Sequence, residues 1–233
     1  MGFIIGLDLG QKQDFSAMTV AEWPHWDRRR GWVYPSGMAP DEVKRELARM
    51  RRPTRDETDW PLNIVHLERW LRGTPYPTVV ADVTRLYTAL NMGGAVPTHL
   101  IVDATGVGAP VMDLLHREGL PALACTITGG KDVNWTGKFE ATVPKRDLVM
   151  SAVVLLETDR LRWPNRGENV QILERELRDF QMKYSKTGHE MFEAERQEHD
   201  DLVLSLSMAT WTLSLPGQYS PFYVRPPATS RQM

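Results

Sequence analysis

A chain of 233 residues with 42% hydrophobic and 25% charged side chains has an ordinary globular composition and is long enough to bury a substantial core. The formal net charge of -2 excludes bulk attraction to polyanions, so any nucleic-acid contact has to come from local Lys and Arg clusters. A single cysteine, Cys125, excludes an intramolecular disulfide and a cysteine-based zinc site, and no apolar run approaches the ~20 residues of a membrane span.

The first ten residues lack a basic n-region, and their apolar run is too short for a signal peptide, so a soluble, cytoplasmic protein is expected. Residues 3–9 predict a strand with Phe3, Ile5, Leu7 and Leu9 on one face and Ile4, Gly6 and Asp8 on the other. Gly10 ends it, and residues 15–23 predict a second strand returning as a hairpin. Residues 24–61 are rich in Pro, Trp, Arg and Asp and read as an insertion or elaborated connection, with one helical segment over 41–50. A third strand is predicted over 62–70.

Val79, Val83, Leu86 and Leu90 have helical spacing, which predicts a helix over 76–90 stopped at Gly93-Gly94. A short buried strand over 100–103, a helix over 109–117 and a strand over 120–127 follow, the alternation of parallel βαβ units. A Gly- and Lys-rich loop is expected over 128–142. Pro144 then opens a helix from a first-turn position, running to Leu156. Another helix is predicted over 168–180 with Val170, Leu173 and Leu177 on one face, then a hairpin over 182–192 around Lys186-Thr187-Gly188. The last helix is predicted over 199–213. Residues 1–215 are thus expected to form one domain, and 216–233 a Pro-rich tail.

The carboxylates carry the chemistry. Asp8 sits on an apolar strand, where an unpaired charge is costly to bury. Asp103 ends a buried strand, where open α/β sheets place ligand groups. Asp200 and Asp201 open a strongly apolar helix, and Asp200 equally suits its N-cap. Carboxylates from two strands and a helix start can converge on hard cations such as Mg2+ or Mn2+, and two such ions can clamp the attacking and leaving oxygens of a phosphodiester. Lys131, Lys138, Lys145 and Arg146 flank this site, and Lys183 and Lys186 form a second basic tip; all are candidate phosphate contacts. The denser basic run from Lys44 to Arg55 fits a solvated helix face as well as a DNA contact.

The segments IIGLDLGQKQDFSA, LIVDATGVGAPVMDLL, VPKRDLVMSAVVLLETDRLRWP and HDDLVLSLSMA, in that order, resemble the nuclease domain of phage large terminase subunits. The resemblance covers most of residues 1–213, although 24–61 is longer than the family pattern. It implies a ribonuclease H-like α/β fold related to RuvC-type resolvases, with a mixed central sheet flanked by helices. It also implies cleavage of double-stranded DNA during phage genome packaging, using two metals held at Asp8, Asp103 and Asp201, with Asp200 beside them. Asp14 would be an accessory acid, though a turn role suits it too.

Complete large terminases carry an ATPase motor before the nuclease, and no GxxxxGK[ST] phosphate loop occurs here. Cleavage without translocation is therefore expected, with a separate ATPase motor, a small terminase subunit or a portal as partner. Two alternatives remain at this level. Gly6-Leu7-Asp8-Leu9-Gly10 also resembles the first phosphate-binding turn of sugar-kinase and actin-like ATPases. A non-catalytic packaging module on a nuclease fold is the other.

Overall fold

The computed structural model describes residues 2–10, 14–23, 26–27, 31–32, 61–91, 98–106, 108–187 and 200–214, without the side chains of 26–27, 31–32, 108–109, 180–187 and 214. Its strands are β1 (Gly2–Asp8), β2 (Ala17–Trp23), β3 (Trp26–Asp27), β4 (Gly31–Trp32), β5 (Leu62–Arg69), β6 (Thr98–Asp103), β7 (Ala122–Thr128), β8 (Asn134–Gly137), β9 (Glu140–Pro144) and β10 (Leu161–Arg162). Its helices are α1 (Tyr76–Asn91), α2 (Gly108–Arg117), α3 (Lys145–Glu157), α4 (Glu168–Thr187) and α5 (Asp201–Ser214).

Eight strands form one mixed sheet in the order β10-β5-β2-β1-β6-β7-β9-β8. β2 is antiparallel to both its neighbours, whereas β6, β7 and β9 run parallel to β1. The alternation in β1 sorts its side chains as expected. Ile5, Leu7 and Leu9 pack with Val79, Val83, Val111 and Leu115 under α1 and α2. Ile4 faces the opposite core with Leu148, Leu173 and Leu202, under α3, α4 and α5. This is a ribonuclease H-like mixed sheet flanked by helices.

Helix α5 is buried on nearly all sides, which its apolar residues favour and its hydroxyls have to tolerate. Three do so by bonding back along the helix, Ser205 to the Leu202 carbonyl at 3.0 Å, Thr210 to Ser207 at 3.1 Å and Thr212 to Ala209 at 3.1 Å, while the buried Ser207 hydroxyl has no partner among the described residues. Ser205 also shares a 2.7 Å hydrogen bond with Thr19, tying the helix to β2.

The structure departs from the sequence reading in three places. The expected 128–142 loop contains β8 and β9, an antiparallel pair at the sheet edge. Only Ala141 and Val143 carry a buried alternation there, and the exposed β8 gives no apolar signal. Pro144 is the last residue of β9 and the N-cap of α3, at φ -58° and ψ 132°, not a first-turn residue. Residues 182–187, expected in a hairpin, continue α4, because Lys186-Thr187 can extend a helix as readily as turn a chain. Residues 188–192, the 41–50 helix, Gly93-Gly94, the Lys44–Arg55 run and the 216–233 tail lie outside the described residues, as does most of 24–61, of which β3 and β4 form a short antiparallel ladder. Among the described residues, no helix is long and apolar enough to cross a membrane.

Candidate metal centre

Asp8 and Asp103 are the last residues of β1 and β6, which are parallel neighbours with Leu7 paired to Val102. Their carboxylates therefore leave the same edge of the sheet. Strand periodicity also gives them one face, the face of Ile4 and Ile101 against which α5 packs. The helix comes close because of Gly6. A Cβ there would stand 1.9 Å from the Ser205 carbonyl oxygen, so only glycine admits the backbone of α5 against β1. That contact brings the first residue of α5, Asp201, to the ends of β1 and β6.

The electrostatics record the convergence. Asp8 is 7% exposed, and its carboxyl pKa lies well above the ordinary value, first from burial and then from the charges of Asp103, Asp201 and Asp200, with Lys145 opposing. Burial also raises Asp103, while hydrogen bonds from Thr105 and the charge of Lys145 pull it back. The Thr105 amide reaches Asp103 Oδ1 at 2.7 Å, and the Thr105 hydroxyl accepts from the Ile127 amide at 2.7 Å, fixing the turn after β6. The turn after β1 is fixed likewise, by Ser16 on the Gly10 amide and Tyr76 on the Gly10 carbonyl.

The two acids at α5 have basic partners. Lys145 Nζ donates to Asp200 Oδ2 at 2.8 Å, and Arg69 Nη2 donates to Asp201 Oδ2 at 3.1 Å. The N-cap alternative for Asp200 resolves in halves. Its backbone carbonyl accepts from Leu204 at 2.8 Å, as an N-cap does, but its side chain goes to Lys145. The capping oxygen comes instead from Glu176 of α4, whose Oε2 accepts from the amides of Leu202 and Val203 at 3.0 Å each. Arg69 and Glu176 were not read from the sequence as site residues. Glu176 left a signal, since its position three residues after Leu173 lies on the apolar face of its helix. Arg69, at the end of β5, left none.

Asp14 is exposed just before β2, and no contact joins it to the four acids among the described residues. Lys131 and Lys138 are exposed on and before the β8–β9 hairpin, with Lys138 Nζ 5.1 Å from the Phe139 ring centroid. Lys145 belongs to the acid cluster itself, with Arg146 exposed beside it. Lys183 and Lys186 lie in the last turns of α4 and not at a hairpin tip, with their side chains outside the described residues.

An oxygen-only donor set is of the kind that suits a hard divalent ion. Among the described residues, however, no three His, Cys, Asp or Glu side chains are gathered closely enough to hold a metal. The donor set fits a hard cation by its chemistry, while two of its acids are paired with basic residues.

No protein-family model matches the chain, and no curated protein matches it. Among solved structures, it is similar to the large terminase nuclease from thermophilic phage G20c, at 20% identity and a TM-score of 0.50 over 89% of this chain and 80% of that one. Similarity also extends to the human cytomegalovirus terminase nuclease domain, soaked with Mn, at 7% identity and a TM-score of 0.48 over 89% and 81% of the two chains. A third similar structure is T. thermophilus RuvC in complex with Holliday junction substrate, at 11% identity and a TM-score of 0.33 over 91% of this chain and 93% of that one. The chain has the ribonuclease H-like fold of the large terminase nuclease, with Asp8, Asp103, Asp200 and Asp201 drawn to one edge of its sheet.

Proposed function

We propose that this chain is a divalent-metal-dependent endonuclease that hydrolyses double-stranded DNA, in the setting of phage genome packaging. One observation carries the reading: a buried Asp8 that feels the charges of Asp103, Asp201 and Asp200 on the fold of a large terminase nuclease. Asp8, Asp103 and Asp201 would hold Mg2+ or Mn2+, two ions in all, with Asp200 beside them and Asp14 as an accessory acid. When bound, the ions supply an activated water and stabilise charge on the attacking and leaving oxygens.

The chain's own residues do the rest. The sheet fixes Asp8 and Asp103, and the Thr105 amide orients the Asp103 carboxylate. Gly6 and Glu176 set the position and the start of α5, and with it Asp201. Lys145 keeps Asp200 paired. Lys131, Lys138 and Arg146 would offer sequence-independent phosphate contacts, with Lys183 and Lys186 of α4 as further candidates. We assign this activity to residues 1–215, with an ATPase motor, a small terminase subunit or a portal delivering the DNA.

Plasmid cleavage with Mn2+ tests the assignment. Wild type is expected to nick and linearise the plasmid, and Asp8→Ala, Asp103→Ala and Asp201→Ala to fall to background while still binding DNA. Three variants that cut as well as wild type would falsify the site.

A further inference from the structure

The four acids divide by their partners. Among the described residues, Asp8 meets no hydrogen-bond donor or basic group at bonding distance, and Asp103 Oδ1 takes a backbone amide. Asp200 and Asp201 are held by Lys145 and Arg69. The two basic partners are not alike. The Lys145 side chain is 25% exposed, whereas that of Arg69 is 13% exposed, with its guanidinium carbon 3.5 Å over the centroid of the Phe15 ring. Arg69 is also fixed at its backbone, opposite Ala17 where β5 pairs with β2. This cation is built into the site.

Its grip on Asp201 is nonetheless a single contact. An arginine fork can bind a carboxylate through two parallel bonds, the strong form of this interaction. Here Nη2 alone reaches Asp201 Oδ2, at 3.1 Å, and the buried Nε has no acceptor among the described residues. Glu176 stands by without relieving this, since its buried Oε1 also has no partner among the described residues. A guanidinium seated on an aromatic ring and bonded once to an acid can let that acid go without leaving its seat.

We propose that Arg69 is the resident counter-cation of Asp201, holding that carboxylate until a divalent ion takes it, and so limiting the affinity of the site for metal. The inference rests on the metal-dependent reading of these acids. Arg69 is a positioning residue in this scheme, acting through Asp201. Removing its charge removes a competitor for the carboxylate, so the metal binds more tightly. A purely structural arginine would give the opposite result, a site that is looser and weaker for metal.

Calorimetric titration of the full chain with MnCl2, without DNA, tests this on wild type, Arg69→Gln, Arg69→Lys and Phe15→Leu. Arg69→Gln is expected to bind Mn2+ at least about tenfold more tightly, the scale of one charge-assisted hydrogen bond removed from the competition. Arg69→Lys keeps a cation and should stay within about threefold of wild type. Melting in EDTA gives a second readout, in which Arg69→Gln starts lower than wild type and gains more on adding Mn2+. Should Arg69→Gln fail to fold, Phe15→Leu keeps the guanidinium but removes its seat, and a smaller tightening is expected. Unchanged or weaker Mn2+ binding in the variants, with wild type binding normally, overturns the role of Arg69 alone. No Mn2+ binding by any protein overturns it together with the metal-dependent reading.

Discussion

Glu176 takes over the capping that Asp200 is placed to do, and burial leaves a titration signature on it. Its carboxyl is pushed from the ordinary 4.5 up to about 8, chiefly by burial, with the charge of Asp201 adding and the amides of Val203 and Leu202 and the charge of Arg69 opposing. The folded chain thus keeps a proton here that the unfolded chain releases at lower pH. The stability it contributes is fully present below about 4.5 and lost as pH rises through about 8. Glu176→Gln is neutral at every pH and keeps an oxygen for the two amides. In EDTA, its melting temperature should gain on wild type steadily between pH 5 and 8. Parallel curves over that range would show that Glu176 is ionised in the folded protein. The four acids of the candidate site stand out in the sequence because each lies within, at the end of or at the start of an apolar segment. Arg69 was not, since a charge at the end of a strand looks like ordinary surface until β2 brings Phe15 beneath it.

At the scale of elements, the site depends on how closely α5 lies against β1. A methyl at position 6 would overlap the Ser205 carbonyl and crowd the Ala209 amide at 3.0 Å, and both are backbone atoms that cannot swing aside. Gly6→Ala should therefore cost about 3 kcal/mol, at the upper end of core overpacking. It should also lift Asp201 away from Asp8, so Mn2+-dependent cleavage falls further than the loss of folded protein explains. A variant as stable and active as wild type would mean the helix sits elsewhere. The elements that make this contact were readable: β1 by its alternation, α5 by its apolar run between Asp201 and Leu213. What escaped was marginal in length or pattern. β10 has two residues, and β8 is exposed at the sheet edge, where pairing rather than apolar burial defines a strand. α4 runs past its last legible apolar face, because Lys186-Thr187-Gly188 reads as a turn once the spacing of Val170, Leu173 and Leu177 stops.

Over the whole molecule, the net charge of -2 gives no general pull toward DNA, and the acidic site would repel it. Binding then has to come from cations held apart from the acids. Lys145 is paired with Asp200, which leaves exposed cations away from the acids, Lys131, Lys138 and Arg146 among them. Lys131 stands exposed just before the β8–β9 hairpin and Lys138 at its tip, and the hairpin is anchored where Trp135 stacks on Trp211 of α5 with ring centroids 6.1 Å apart. That anchor links this basic tip to the helix carrying Asp201. Each phosphate contact releases counterions and adds about 0.9 to the slope of log affinity against log salt. The double variant Lys131→Ala and Lys138→Ala should thus bind duplex DNA more weakly at low salt, with a slope shallower by about 2. Because these lysines are distant in role from the carboxylates, Mn2+ affinity measured without DNA should be unchanged. Fluorescence anisotropy on a labelled duplex between low and moderate salt reads both quantities. An unchanged slope removes the hairpin as the DNA-binding edge and transfers that role to cations on other parts of the chain.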